Sequence, residues 1–251
     1  VCNEYKLKLK IVIPNTQSIE KKETLKKLGA ELIEVDAVPY SNPKNYIKQS
    51  QKLAENLSKK NSNGVVWANQ FDNLINTDSH IKTTSQEIWS QTAGKIDGFC
   101  CAVGTGGTLA GVSIGLKEKN KNIKIGLSDP MGSSLYSYIK NGVLETTGSS
   151  ITEGIGTGRI TKNFEKALID EAFQTDDVEA MNIIFKLIED QKIILGGSSG
   201  INIAGAIKLA KKLGPGKNIV TILCDNGKRY ASKIFNKEFL KSKNLPIPKW
   251  L

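Results

Sequence analysis

Three glycine-rich turns carry the residues best suited to chemistry. The first, Gly104-Thr105-Gly106-Gly107-Thr108, follows an apolar run and leads into a helical pattern containing Leu109, Ala110 and Gly111. Glycines let a backbone approach a ligand closely, amides at a helix start point outwards, and the helix dipole favours an anion there. Thr105 and Thr108 add hydroxyl donors. A nucleotide P-loop would end in Gly-Lys-Ser/Thr, which is absent, and Leu109 stands where a dinucleotide fingerprint needs its third glycine. The spacing therefore suits the single phosphate of a small cofactor. The plain alternative is a tight strand-to-helix turn with no ligand.

The second turn, Gly196-Gly197-Ser198-Ser199-Gly200, also stands between an apolar stretch and an amphipathic helical pattern. Its spacing meets the GxSxG rule for a hydrolase nucleophile, but that chemistry needs a histidine partner. His80 is the only histidine in the sequence, and a lone histidine is more often structural. Turns that follow strands of an open α/β sheet gather at one edge, so both turns can face one crevice. The third cluster, Gly154-Ile155-Gly156-Thr157-Gly158, reads either as a connector or as backbone laid close to a substrate.

Alternating strand and helix patterns must position these turns. Strands are expected over 7–13, 31–35, 64–68, 97–103, 123–127 and 219–223, and helices over 18–28, 43–59, 84–91, 108–119, 133–140, 178–191, 202–213 and 229–236. Residues 72–78 read as a polar connection. Asp176 followed by Glu179 forms a capping-box-like helix start. Such alternation implies parallel sheets covered on both faces, with a break near Gln70 where one α/β run stops and a second begins.

Bulk properties remove other classes. The 251 residues, 39% hydrophobic and 24% charged, can bury a core. The net charge of +10 comes from lysines scattered along the chain and seldom interleaved with aromatics, which argues against nucleic acid. No apolar run reaches membrane-spanning length, and Val1 to Lys10 does not resemble a signal peptide, so a cytoplasmic protein is expected. Cys2, Cys100, Cys101 and Cys224 have no zinc-type spacing and read as reduced, mostly buried thiols, with no metal.

Taken in order, Asn69-Gln70-Phe71-Asp72-Asn73, Thr83-Thr84 with Glu87-Ile88-Trp89, Gly104 to Thr108, Glu153-Gly154-Ile155-Gly156, Gly196 to Gly200 and Cys224-Asp225-Asn226-Gly227-Lys228-Arg229-Tyr230 resemble the cysteine synthase and cystathionine β-synthase family. The resemblance implies a pyridoxal-phosphate enzyme of the tryptophan-synthase-β type (fold type II), with two α/β domains and mainly parallel sheets. Residues 1–70 would be the remainder of a small mobile substrate domain, incomplete here, and 71–251 a large cofactor-binding domain lacking its first part. By motif, Gly104, Thr105, Gly106, Gly107 and Thr108 would hold the pyridoxal 5'-phosphate phosphate group and Ser198 would face the pyridine nitrogen. Gln70 would help bind the substrate carboxylate, with Gly154 beside the substrate.

The activity implied is β-replacement, making L-cysteine from O-acetyl-L-serine and sulfide, in a homodimer when full length. Cystathionine β-synthase, cysteine desulfhydrase and a non-catalytic homologue or partner subunit remain as alternatives. Two family segments are missing: the Schiff-base lysine in its Ser-x-Lys-Asp-Arg type of segment and the Thr-Ser-Gly-Asn-Thr-Gly loop occur nowhere in the sequence. No catalytic residue is therefore assigned. The chain opens on Val1 and enters a strand pattern almost at once, so both segments are expected upstream, and the fragment alone is expected to be inactive.

Overall fold

Strand β3 (Gly98–Cys101) is buried at every residue, as a central parallel strand covered by helices on both faces must be. The structure, a computed structural model, describes residues 1–251. β3 pairs in parallel with β4 (Lys124–Pro130) on one side and β6 (Ile219–Thr221) on the other, and β4 pairs in parallel with β5 (Glu171–Thr175). The sheet order is β5-β4-β3-β6. A second, two-stranded parallel sheet joins β1 (Lys10–Pro14) to β2 (Glu31–Val35) through helix α1 (Ile19–Lys27). Helix α2 (Tyr46–Ser58) follows, its first turn capped by the Asn45 side chain accepting from the Ile47 N–H at 3.0 Å.

The main core lies under α5 (Gly107–Lys119), where Leu109, Val112 and Leu116 pack on Phe99, Ile125 and Leu127 of the sheet. The opposite face of α5 carries glycines at intervals of four: Gly107, Gly111 and Gly115. Helices α3 (Ile75–Lys82) and α4 (Thr84–Gln91) settle on that stripe. A Cβ on Gly111 would come within 2.5 Å of the Thr77 carbonyl and the His80 Cβ, and one on Gly115 within 2.1 Å of the Ser85 hydroxyl. Only glycine permits this approach, which carries the polar side chains of α3 to the start of α5.

A second core forms where α7 (Asp177–Gln191) meets α8 (Gly197–Leu213), around Met181, Ile184 and Ile201. The expected Asp176 cap is present, its side chain accepting from the Glu179 N–H at 2.8 Å. Helix α6 (Leu135–Asn141) covers the β4–β5 side, and α9 (Lys237–Ser242) closes the chain's last third.

Several expected elements differ. Residues 64–68 form no strand: no neighbouring strand offers them a ladder, and Val66 is 93% exposed. The strand expected over 7–13 is β1, shifted toward Pro14, with Leu7 and Leu9 left exposed. The polar connection 72–78 becomes the start of α3, whose support comes from the glycine stripe and not from its own apolar face. The helix expected from 202 begins at Gly197, so the second glycine turn is its first helical turn. Residues 229–236 form a short 3-10 segment and turns, with α9 beyond them, and β5 was not expected from the sequence. Cys100 and Cys101 are buried, but Cys224 is exposed.

Candidate cofactor site

The first glycine turn connects β3 to α5. Gly106, at φ +92°, turns the chain into the helix, a conformation that disfavours any residue with a Cβ. The backbone amides of Thr105, Gly106, Thr108 and Leu109 donate no hydrogen bond within the chain. Four unsatisfied donors at the positive end of a helix suit an anion such as a phosphate.

Polar side chains brace the turn from behind. The Asn76 amide donates to the Thr105 hydroxyl at 3.0 Å and to the Gln70 carbonyl at 2.8 Å. The Thr161 hydroxyl donates to the Thr105 carbonyl at 2.6 Å. The Asn163 amide donates to the carbonyls of Gln70 and Phe71, while its own oxygen accepts from the buried Thr77 hydroxyl. His80 Nε2 lies 3.1 Å from the Thr108 hydroxyl, and its Nδ1 lies 2.8 Å from that of Thr84. Burial holds the His80 ring below the usual histidine range, so it is neutral near pH 7. Arg159 grips Asp72 with both guanidinium nitrogens, at 2.9 and 3.2 Å, and stacks over Tyr40 and Phe71. The Gln70 turn is thereby tied to the phosphate turn.

The second turn opens α8 beside the end of β6, where the Gly196 N–H donates to the Asp225 carbonyl. Ser198 is 7% exposed and its hydroxyl faces the Cys224 thiol without bonding to any nitrogen or oxygen of the chain. The Ser199 hydroxyl accepts from the Cys224 N–H at 2.9 Å. Asn202 ties the ends of β3 and β6 together, accepting from the Ala102 N–H at 2.7 Å and donating to the Ile222 carbonyl at 2.8 Å.

The third cluster bridges the other two. A Cβ on Gly104 would fall 2.2 Å from the Gly154 carbonyl, and one on Gly197 would fall 3.1 Å from the Thr152 methyl group. A cavity of about 260 Å³ opens beside this bridge, lined by Pro130, Met131, Ser150, Thr152 and Gly156 among others. Gly104 to Thr108, Gly154 and Ser198 thus share one edge of the four-stranded sheet, and Gln70 reaches it through Asn76 and Asn163.

Sequence reasoning missed Asn76, Thr161 and Asn163, and gave Glu153 no role of its own. For Asn76 the legible signal was the four-residue glycine spacing in α5, which marks a close helix contact and so a place where side chains from another helix must arrive.

The donor set fits pyridoxal phosphate at both ends. Free amides and two threonines await the phosphate, and a buried, neutral hydroxyl with no partner other than a thiol awaits the ring nitrogen.

Comparisons with known proteins agree with this geometry. A family model described as pyridoxal-phosphate dependent enzyme matches residues 1–225. Cysteine synthase 1 of Neurospora crassa is 45% identical over 250 residues, covering 98% of this chain and 65% of the relative. The chain thus spans just under two thirds of that protein's length. The crystal structure of an O-acetylserine dependent cystathionine β-synthase from Helicobacter pylori superposes with a TM-score of 0.81 at 31% identity, covering 93% of this chain and 72% of that one. A hydrogen sulfide-producing enzyme from Fusobacterium nucleatum superposes with a TM-score of 0.79 at 30% identity, covering 91% and 73%. A family model covering nine tenths of the sequence, over a fold whose glycine turns converge as that cofactor requires, shows that the chain belongs to the pyridoxal-phosphate-dependent enzyme family.

Proposed function

We propose that this chain is part of a cysteine synthase, which joins O-acetyl-L-serine to sulfide by replacement at the β-carbon. The observation that carries the reading is the meeting of four free amides, the Gly154 turn and the Ser198 hydroxyl at one sheet edge. The amides of Thr105, Gly106, Thr108 and Leu109 bind and orient the phosphate, and α5 adds its dipole. Ser198 meets the ring nitrogen as a neutral partner, which, unlike a carboxylate, does not hold that nitrogen protonated. Elimination at the β-carbon is then favoured over transamination. The bound cofactor supplies an electron sink for charge developing at the substrate α-carbon. Gln70 takes the substrate carboxylate, and the Gly154 backbone lies along the substrate and excludes water from it.

The α-proton needs a lysine base held over the cofactor. No lysine of this chain stands in the family's Ser-x-Lys-Asp-Arg segment, so the reading assigns that residue, and the Asn-Thr-Gly loop, to sequence outside these 251 residues. Residues 1–70 are then part of a mobile substrate domain and 71–251 part of the cofactor domain of a cytoplasmic homodimer. The test is cysteine formation from O-acetylserine and sulfide. The chain alone is expected to give none, and a longer protein carrying the Ser-x-Lys segment is expected to turn over. Comparable turnover by both would refute the lysine assignment.

A second reading has its own support, since one of the two structural relatives is named for cystathionine synthesis and the other for hydrogen sulfide production. It keeps the same cofactor geometry with a different sulfur partner. Offering the longer protein O-acetylserine with homocysteine in place of sulfide, and then L-cysteine alone, separates the three outcomes by product: cysteine, cystathionine or released sulfide.

A further inference from the structure

Glu153 directly precedes Gly154 and is among the most enclosed charges in the molecule, its side chain only 5% exposed. One carboxylate oxygen accepts from Lys21 Nζ at 2.9 Å and from the Ser18 N–H at 3.3 Å. The other accepts from Lys233 Nζ at 2.5 Å. Lys21 and Ser18 belong to α1 and its cap, in the first α/β unit, and Lys233 belongs to the segment after β6. Around this carboxylate α1 makes further polar contacts with that segment: the Ser18 hydroxyl donates to the Arg229 carbonyl at 2.8 Å, and Glu20 accepts from the Ser232 N–H at 2.7 Å and from its hydroxyl at 2.9 Å. Lys21 also lies 5.6 Å over the Tyr230 ring. Glu153 and Lys233 form part of the wall of a cavity of about 270 Å³ that reaches Thr16, Phe239 and Lys243.

No residue of α1 is buried, and Leu25 is its only partly buried apolar side chain. Charge and hydrogen bonding supply its polar attachment, and the charge sits one residue from the glycine turn that touches Gly104. We propose that Glu153 is a positioning residue: it clamps α1 of the first unit to the Gly154 turn and so sets the aperture of the site on its substrate side. This rests on the cofactor reading given above. Removing the carboxylate leaves Lys21 and Lys233 facing one another with only neutral acceptors, the Gln17 side chain and the Thr16 carbonyl, so α1 should lift while the four-stranded sheet stays closed. Breaking such a pair from one side is costlier than never having had it, because a partly enclosed charge loses its counter-charge.

The test uses the 251-residue chain with two measurements. In hydrogen exchange, E153Q should speed exchange of the α1 amides at least tenfold and leave β3, β4 and α5 unchanged. Lys21→Met, which keeps the side-chain length and leaves Glu153 with Lys233, should give a smaller effect in the same segment. Binding is then measured with phosphopyridoxyl-L-serine, a stable adduct of cofactor and substrate, and with pyridoxine 5'-phosphate, which lacks the amino-acid part. E153Q should weaken the adduct about tenfold and the cofactor analogue by less than twofold, a split that general destabilisation does not produce. Unchanged α1 exchange in both variants would overturn the clamp. Loosened α1 with equal loss for both probes would overturn its link to the substrate side. If the native chain binds neither probe, the cofactor reading falls, while exchange still decides the clamp.

Discussion

The first α/β unit and the second are built from the same motif and held in opposite ways. In the second, α5 buries Leu109, Val112 and Leu116 against the sheet on one face and receives α3 and α4 across glycines on the other. In the first, neither α1 nor α2 buries a single residue, and ion pairs and hydrogen bonds tie α1 to the segment after β6. Close packing makes a rigid frame, whereas a unit with few buried apolar contacts opens locally more readily. On the proposed function the rigid frame suits a cofactor cradle and the more loosely packed unit one that admits substrate.

Substitutions should separate the two regions clearly. The largest effect is expected from Gly111→Val, whose Cβ would meet the Thr77 backbone carbonyl at 2.5 Å. It should cost about 3 kcal/mol or more in denaturant unfolding, and a loss under 1 kcal/mol would mean that α3 moves freely and the glycine stripe does not set the site. Next, Leu109→Ala, at a fully buried position, should cost about 3 kcal/mol. Leu57→Ala in α2, only partly buried, should cost about 1 kcal/mol or less, and equal losses would erase the contrast drawn here.

Acid should act on the two regions with opposite sign. Burial alone would raise the Glu153 carboxyl, but hydrogen bonds from Lys233 and Lys21 outweigh it and hold the group below its usual range. Its stabilisation is therefore complete above the ordinary glutamate range and fades as pH falls through the depressed value. Burial pushes Asp129, at the end of β4, up to about 6, against hydrogen bonds from Tyr136, Ser133 and Leu135. Its ionised form is disfavoured by the fold, so stability from this group falls as pH rises toward 6 and is regained on acidification. Exchange measured from pH 7 down to pH 3 should show α1 loosening first, with the four-stranded sheet still protected. Simultaneous loss of protection would break the comparison. The smallest effect is reserved for Val66→Ser, which should change stability by less than about 0.5 kcal/mol because the side chain touches solvent and no ladder passes through it.

Much of this arrangement was legible in the residues. Apolar runs such as Gly98 to Cys101 announce central strands, and the alternation of strand and helix patterns dictates parallel sheets. The glycine turns were visible as the places where backbone comes close to its surroundings, and the structure brings all three to one edge of the four-stranded sheet. Two kinds of information were not local. Strand β5, Glu-Ala-Phe-Gln-Thr, has little alternation because it lies at a sheet edge, and residues 64–68 look like a strand but have nothing to pair with. Asn76, Thr161, Asn163 and Glu153 belong to no motif whose spacing signals a role. Their partners lie far away in sequence, as with Thr77 and Asn163, 86 residues apart.

The pairing of β3 has a consequence for how the protein is made. Thr221 of β6 bonds the Cys100 carbonyl across a separation of 121 residues, whereas β4 reaches the opposite edge of β3 far sooner. At about 5 to 20 residues per second, a ribosome leaves that flank of the central strand without its neighbour for roughly 6 to 24 seconds. During that interval a strand destined to be buried at every residue presents an open row of amides and carbonyls beside the forming glycine turn. A chaperone, or early docking of α5, has to guard it until the last third emerges.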